Sequence, residues 1–391
     1  MIGVDEAQAL CLDLVSPTDA LEVVPLIAAH TRVLRRGARA FRAQPPFASA
    51  AMDGYAVRDA EVMVGASFEV VGESAAGHGW DGTLTPGQAL RIFTGAPVPA
   101  GADHVVIQED VLREGERITL QPNLGSGPNV RPAGADFAAD FELEAPRRLS
   151  PSDLALLAAM NVPEVIVARR PKVALLATGD ELVLPGQTPG RDQIIASNVF
   201  ALKAMVDAAG GEAIILPIAP DREDALAEAM AEMLKADIAV TIGGASVGDH
   251  DLVGRVGERL GLQRAFYKLA MRPGKPLIAG SLDAVPYLGL PGNPVSAIVT
   301  GHLFLVPMVK RWLGLEEVQP KRVSARLAQD VGPTGPRTHF MRARLDGDSV
   351  TPYARQDSSL LSVLSDANAL LERPLGDRPR KAGEMVPVLP L

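Results

Sequence analysis

The sequence predicts a multidomain protein in which a central α/β/α sandwich is accompanied by mostly β domains. Short apolar strands alternate with amphipathic helices in residues 171–318, the pattern of a sheet covered on both faces. Short β-type runs separated by Gly and Pro fill residues 41–141 and 319–391. A chain of 391 residues also exceeds what one hydrophobic core usually serves. We therefore expect four regions: a helical linker domain in 1–40 and 142–170, an inserted mostly β domain in 41–141, the α/β domain in 171–318, and a small β domain in 319–391.

The linker domain is predicted from helical spacing. Residues 4–15 and 26–36 carry apolar side chains three and four positions apart, and Pro17 and Pro25 interrupt them. A further helix is expected after Ser150, where Ser can cap the helix and the following Pro can occupy its first position.

The α/β domain is predicted from three strands, at residues 171–179, 212–219 and 237–244, with helices at 197–211 and 221–236 between them. This alternation indicates a parallel sheet. Ligands of such sheets bind at the carboxyl ends of the strands. The glycine-rich loops at those ends are therefore the places to look for function.

Composition excludes several classes of protein. A formal net charge of −9 argues against broad nucleic-acid binding, which needs a basic face. A single cysteine excludes an intrachain disulfide framework and multi-cysteine metal sites. We find no signal peptide and no apolar run long enough for a membrane helix, so we expect a cytoplasmic protein without membrane contact.

Three loops are suited to an oxyanion. GGASVGD at 243–249 offers successive backbone N–H groups, although a simple tight turn explains its glycines equally well. RPGKP presents Arg272 and Lys275 on a proline-stiffened turn. LPGNPVS ends a strand and is expected to start a helix at Ser296. Together they favour a pocket for a phosphorylated or oxyanionic ligand.

Carboxylates follow the same strands. Asp180 and Glu181 come after the first strand, Asp221 after the second, and Asp249 and Asp251 after the third. Carboxylates beside phosphates normally bind Mg²⁺, which bridges the two. Each of the last three could instead be a helix N-cap, and both interpretations remain open.

Other candidate residues are less specific. Asp53 and Gly54 in SAAMDGYAVRDA are typical of a short turn, but Asp53 could also be a catalytic carboxylate. The six histidines show no ligand spacing, and we expect His250 and His339 to face solvent.

Seven ordered motifs resemble those of the molybdopterin molybdenumtransferase (MoeA) family, whose relatives include the C-terminal domain of gephyrin. They are SAAMDGYAVR, RIFTGAPVPAGAD, NVRPAGAD, LLATGDELV, TIGGASVGDHD, RPGKP and LPGNPVSA. The resemblance implies a homodimer with a molybdopterin-binding, MogA-like α/β domain and a C-terminal β-barrel. The active site would lie between the α/β domain of one subunit and the β domain of the other.

The implied reaction inserts molybdate, a substrate, into adenylylated molybdopterin and releases AMP with Mg²⁺ as cofactor. A MogA-type adenylyltransferase and molybdoenzymes are possible partners. A scaffold protein that keeps the pterin pocket and a tungsten-handling paralogue remain alternatives.

The resemblance also implies residue roles. The implied catalytic residues are Asp53, Asp136, Glu181, Asp221 and Asp251, the last three also holding the metal. The implied contacts to pterin, phosphate or molybdate are Thr94, Gly243, Gly244, Ser246, Gly248, Arg272, Lys275, Pro276, Ser296, Arg342 and Ser358. In this chain Asp357 precedes Ser358, which puts a carboxylate beside the expected anion site.

Overall fold

A computed structural model of the chain describes residues 1–244 and 252–391. The expected composite fold is confirmed, with a mixed α/β domain at the centre and a closed β-barrel near the C-terminus. No helix in the described ranges combines the length and the apolar character that crossing a membrane requires.

The N-terminal segment contains less helix than its sequence predicts. Residues 26–36 form only a 3₁₀ turn, at Leu26–Ala28, followed by a short strand. A continuous helix is interrupted at Thr31, whose φ of +64° does not occur in a right-handed helix. The elements of the segment are α1 (Val4–Asp13), β1 (Leu21–Pro25), β2 (Val33–Leu34) and β3 (Ala38–Arg39).

The β module, residues 41–141, is built on a six-stranded sheet. Its strands are β4 (Ser49–Ala50), β5 (Gly54–Val57), β6 (Ser67–Ser74), β7 (Gln88–Ile92), β8 (His104–Ile107), β9 (Val111–Glu114), β10 (Arg117–Leu120) and β11 (Val130–Arg131). The sheet runs in the order β8-β5-β7-β6-β10-β9, and β11 pairs with β4. Both faces are covered, because Tyr55 and Val57 pack into one apolar cluster and Ala56 into another.

The chain then returns to the N-terminal segment. Its elements there are β12 (Glu142–Leu143), β13 (Arg147–Arg148), α2 (Pro151–Ala159) and β14 (Glu164–Ala168). Helix α2 begins as predicted, with Ser150 at the N-cap in a capping box with Asp153. Strand β14 pairs with β1 and β2, so the linker is a four-stranded sheet carrying helices rather than a helical domain.

The α/β domain contains every strand and helix predicted for it, plus several short strands that were not predicted. Its elements are β15 (Lys172–Ala177), β16 (Leu182–Val183), β17 (Ile194–Ile195), α3 (Asn198–Ala209), β18 (Glu212–Ile215), α4 (Glu223–Met233), β19 (Ile238–Ile242), α5 (Leu252–Arg259), β20 (Leu262–Tyr267), β21 (Met271–Arg272), β22 (Ile278–Leu282), β23 (Val285–Leu290), α6 (Pro294–Thr300) and α7 (Val306–Trp312). A π-helical turn at Gly301–Leu305 joins the last two helices.

The central sheet is mixed rather than wholly parallel. Its order is β18-β15-β19-β23-β22-β20, and β22 runs antiparallel to both neighbours. A two-residue turn reverses the chain between β22 and β23, because Asp283 and Ala284 both have positive φ. The dipeptide Asp-Ala is not one of the usual signals for this turn.

The C-terminal region is a closed barrel of five strands. Its elements are β24 (Val323–Leu327), β25 (Thr338–Asp346), β26 (Ser349–Pro352), α8 (Leu361–Asp366), β27 (Ala369–Arg373) and β28 (Met385–Pro390). The order β25-β26-β24-β28-β27 closes when β27 pairs back with β25. Strand β21 of the α/β domain adds to β25 in parallel, which attaches the RPGKP loop to the barrel.

Candidate active site

A cavity of about 630 Å³ opens at the carboxyl ends of β15 and β19, where the topology predicts a ligand site. Four of the predicted residues line it: Glu181, Gly243, Gly244 and Pro276. The wall is completed mainly by Thr178, Leu182, Ile194, Ile195, Asn198, Gly292 and Ser359. The lining therefore combines an apolar side, exposed backbone and a few polar side chains.

Two glycines directly follow β19. Gly243 and Gly244 have φ values of +94° and +65°, which L side chains rarely adopt. A Cβ at Gly243 would lie 2.9 Å from the Thr178 carbonyl oxygen, and one at Gly244 would overlap Val253. Both positions thus require glycine, which leaves backbone exposed to the cavity. The predicted contacts Ser246 and Gly248 and the predicted carboxylate Asp251 lie outside the described residues.

The carboxylates after β15 and β18 lie at one edge of the sheet. Asp180 Oδ1 accepts a hydrogen bond of 3.0 Å from the backbone N–H of Asp221, which joins the two loops. Glu181 and Asp221 are both exposed. Asp221 is not a helix cap, because α4 begins at Glu223 and Arg222 occupies the N-cap position.

The RPGKP loop carries the exposed cations Arg272 and Lys275. Its base is fixed by the backbone bond from Leu269 N–H to the Lys275 carbonyl, at 2.9 Å, and by the pairing of Arg272 with His339. The cations therefore project from a loop that two domains hold.

Arg342 differs from the exposed Arg272, because its side chain is buried and its guanidinium already donates hydrogen bonds within the protein. Its Nη1 donates to the Asp357 carbonyl at 2.6 Å, and its Nε donates to Gln356 Oε1 at 3.0 Å. Burial lowers the pKa of the Arg342 guanidinium from its ordinary value. The geometry indicates that Arg342 holds the barrel loop at 355–357 in position.

That barrel loop presents Ser359, not Ser358, to the cavity. The Ser358 carbonyl instead accepts the backbone N–H of Val295 at 3.0 Å. Asp357 Oδ1 accepts the backbone N–H and the hydroxyl of Ser359, at 2.9 and 2.6 Å. These two bonds hold the pKa of Asp357 below its ordinary value. The Asp357 carboxylate thus fixes the conformation of the barrel loop up to Ser359.

Ser296 lies inside α6 rather than at its start. The helix begins at Pro294, two residues earlier than predicted, with Asn293 at the N-cap. Ser296 is buried, and its carbonyl accepts the Thr300 hydroxyl at 2.7 Å.

In the β module the structure brings Asp53 and Thr94 together. Asp53 Oδ1 accepts both the backbone N–H and the hydroxyl of Thr94, each at 2.7 Å. The backbone bond and then the hydroxyl bond lower the pKa of Asp53. Asp136 is exposed and its backbone N–H donates to the Gln44 carbonyl, with no bond to the pair among the described residues.

The Asp-Gly dipeptide is not the tight turn that its sequence suggests. Gly54 has no positive φ and is the first residue of strand β5. Glycine is needed there for a different reason, since a Cβ would overlap the carbonyl oxygen of Val106 on the neighbouring strand.

His339 does not face solvent as expected. It is half-buried between Arg272 and Arg373, its partners on two adjacent strands. Burial and these arginines lower the pKa of His339 to about 4, so the ring is neutral at neutral pH.

The sequence interpretation missed five polar residues of the cavity. They are Thr178, Ser197, Asn198, Asn293 and Ser359. Asn198 Nδ2 donates to the Gly292 carbonyl at 2.7 Å and so joins the start of α3 to the LPGNP loop. The sequence did contain a signal for Asn198. It is a polar residue at the first position of α3, the helix that follows the predicted ligand loop after β15.

Profiles of three protein families match consecutive parts of the chain. "MoeA N-terminal region (domain I and II)" matches residues 2–161, "probable molybdopterin binding domain" matches residues 174–311, and "MoeA C-terminal region (domain IV)" matches residues 324–391. The three matches follow one another without overlap and together cover most of the chain.

Full-length relatives and solved structures agree with these matches. A molybdopterin molybdenumtransferase from Nostoc sp. is 38% identical over 388 residues, covering 95% of this chain and 88% of the relative. The Haemophilus influenzae molybdopterin molybdenumtransferase is 34% identical, covering 100% of this chain and 98% of the relative. A crystal structure of a molybdopterin biosynthesis MoeA protein from Pyrococcus horikoshii has a TM-score of 0.83 at 31% identity, covering 100% of this chain and 99% of that one. The chain therefore belongs to the molybdopterin molybdenumtransferase (MoeA) family of molybdenum-cofactor biosynthesis.

Proposed function

We propose that the enzyme inserts molybdate into adenylylated molybdopterin in a Mg²⁺-dependent reaction that releases AMP. The observation that carries this proposal is the cavity at the sheet edge, where the Glu181 carboxylate and the Gly243–Gly244 backbone share one lining. The cavity volume of about 630 Å³ is within the range of small-molecule sites. The family membership supports the substrate class.

The oxyanion is proposed to bind at the rim. Arg272 and Lys275 are exposed cations on the loop that also supplies Pro276 to the cavity lining. A tetrahedral dianion suits two such cations, because guanidinium and ammonium groups donate several hydrogen bonds to oxygen. Arg342 contributes indirectly in this proposal, by holding the loop that presents Ser359.

The carboxylates at the sheet edge fit a magnesium ion. The described residues hold no group of three or more His, Cys, Asp or Glu side chains arranged around one point. Mg²⁺ in nucleotide sites is commonly held by one or two carboxylates together with substrate phosphates and waters. Glu181 and Asp221, which are exposed at this edge, would supply those carboxylates. The bound ion would neutralise charge on the phosphoanhydride.

A second copy of the chain is proposed to complete the site. Asp53 and Thr94 form a prearranged pair on the β module, and neither lines the cavity of its own subunit. In a homodimer this pair would face the cavity of the partner. The adenylylated substrate would come from a MogA-type adenylyltransferase, and the product would pass to molybdoenzymes.

The test is release of AMP from adenylylated molybdopterin, measured with and without molybdate and with and without Mg²⁺. We expect release to require both, together with appearance of molybdenum in the pterin product. AMP release that is independent of molybdate, or binding of the pterin without turnover under every condition, would contradict the proposal.

A further inference from the structure

One buried polar atom in the cavity lining has no partner among the residues that the structure describes. The Thr178 hydroxyl is buried, since the residue is 3% exposed, and it makes no hydrogen bond to any residue that the structure describes. Burying an unpaired hydroxyl costs stability, and valine would fill the same space without that cost. A hydroxyl kept in such a place indicates a partner that binds there.

The position of the hydroxyl identifies where that partner would lie. Thr178 follows β15, and its backbone N–H donates to the Ile242 carbonyl at 3.1 Å, which joins it to the end of β19. A Cβ built at Gly244 would lie 2.9 Å from Thr178 Oγ1, and one built at Gly243 would lie 3.4 Å away. The hydroxyl therefore lies directly beside the glycine pair, and Thr178 and both glycines line the cavity.

The chemistry of this part of the cavity favours an oxyanion. Gly243 and Gly244 have no side chain to cover their backbone at the cavity, and backbone N–H groups in a turn commonly bind anions. Gly243 N–H is already used by the Leu290 carbonyl, at 3.1 Å, so the glycine pair cannot supply all the donors that a phosphate oxygen accepts. The Thr178 hydroxyl is a further donor at the same point.

We propose that the Thr178 hydroxyl binds substrate directly, by donating a hydrogen bond to a phosphate oxygen of the pterin substrate above Gly243 and Gly244. This inference rests on the proposed function and adds to it a binding residue to which the sequence analysis assigned no role. The hydroxyl would then be paired only when substrate is bound.

The test compares Thr178→Val and Thr178→Ser with the unmodified enzyme. Binding of adenylylated molybdopterin is measured by calorimetry without molybdate, AMP release is measured with it, and thermal melting is measured without ligand. We expect Thr178→Val to weaken binding by about 10- to 100-fold, the effect of one hydrogen bond to a charged group. Its melting temperature without ligand should be unchanged or higher, and Thr178→Ser should restore binding.

Thr241→Val is the matched control, because Thr241 is buried in the neighbouring strand but its hydroxyl is paired with Tyr287 OH at 2.6 Å. We expect this variant to lose thermal stability while its affinity for substrate stays unchanged. If the unmodified enzyme releases AMP and Thr178→Val binds substrate equally well, the role of Thr178 is overturned and the proposed function stands. If the unmodified enzyme neither binds substrate nor releases AMP, both are overturned.

Discussion

Two carboxylates predicted for one site differ in their hydrogen bonding. Asp53, on the β module, accepts two hydrogen bonds of 2.7 Å from Thr94 and has a lowered pKa. The Glu181 carboxylate lines the cavity of the α/β domain and accepts no hydrogen bond from the residues that the structure describes. One carboxylate is thus oriented by the protein, whereas the other is left for a ligand to engage.

Under the proposed function, this difference predicts different roles for the two carboxylates. A carboxylate that already accepts two hydrogen bonds can orient a neighbour or a water at little further cost, because its own position is fixed. A carboxylate without partners remains a strong ligand for a cation, because no donor in the protein competes for its oxygens. Substitutions that separate charge from hydrogen bonding test the distinction.

Replacement of Glu181 should have the largest effect. We expect Glu181→Gln to lower AMP release by about 100-fold or more, since it removes the charge that would engage Mg²⁺ while keeping the shape of the side chain. Raising the Mg²⁺ concentration should recover part of the rate. Glu228→Gln, an exposed change on α4 of the same domain, is the control and should leave the rate unchanged. Equal rates for the two variants would contradict the role of Glu181.

Replacement of Asp53 should have a smaller effect. Asp53→Asn keeps an oxygen that can accept from Thr94 but removes the charge, so we expect AMP release to fall by about 10- to 100-fold. Added Mg²⁺ should not recover the rate, in contrast to Glu181→Gln. Asp59→Asn, which alters a carboxylate paired with His104 in the same module, should leave the rate unchanged. Recovery of Asp53→Asn by Mg²⁺ would remove the distinction between the two carboxylates.

The sequence predicted most of the α/β domain because its signals are local. Each strand is a short apolar run that an amphipathic helix follows, and Gly210 closes α3 with a φ of +101°. The helix predicted at residues 26–36 of the linker is wrong, because that segment joins a sheet whose strands are distant in sequence, as the pairing of Leu34 with Val167 shows. Local helical spacing carries no information about such a pairing.

The site was predictable where residue type alone fixes the chemistry. Glu181 and the glycine pair were placed at the cavity by the topology of the sheet. Arg342 was predicted to contact the substrate, but its guanidinium donates to a carbonyl of the barrel loop. Only the folded barrel shows this contact. That Ser359 lines the cavity, and not the predicted Ser358, likewise depends on the turn that Asp357 forms with Ser359.

Replacement of Gly54 tests whether the β module holds Asp53 through its backbone. We expect Gly54→Ala to destabilise the protein by about 2 kcal/mol, because the added methyl would overlap the Val106 carbonyl in a packed sheet. The measurement is thermal or urea denaturation, and Gly3→Ala, which meets no atom within 4 Å, is the control. AMP release should fall together with the folded fraction. A fully stable Gly54→Ala variant would show that the module can adjust its backbone around Asp53.

Replacement of Thr94 should have the smallest effect, and it should appear in the pH dependence rather than in the maximal rate. Thr94→Val keeps the backbone N–H bond to Asp53 and removes the hydroxyl bond, which is one of the causes of the lowered pKa. Loss of a bond to the ionised form lets the carboxylate protonate at a higher pH, so the pKa of Asp53 should rise. The acid limb of AMP release should then move to higher pH while the rate at neutral pH changes little. Thr94→Ser keeps the hydroxyl and should retain the original acid limb. An NMR titration of the Asp53 carboxyl should follow the same order, and an unshifted Asp53 in Thr94→Val would mean that the backbone bond alone sets its ionisation.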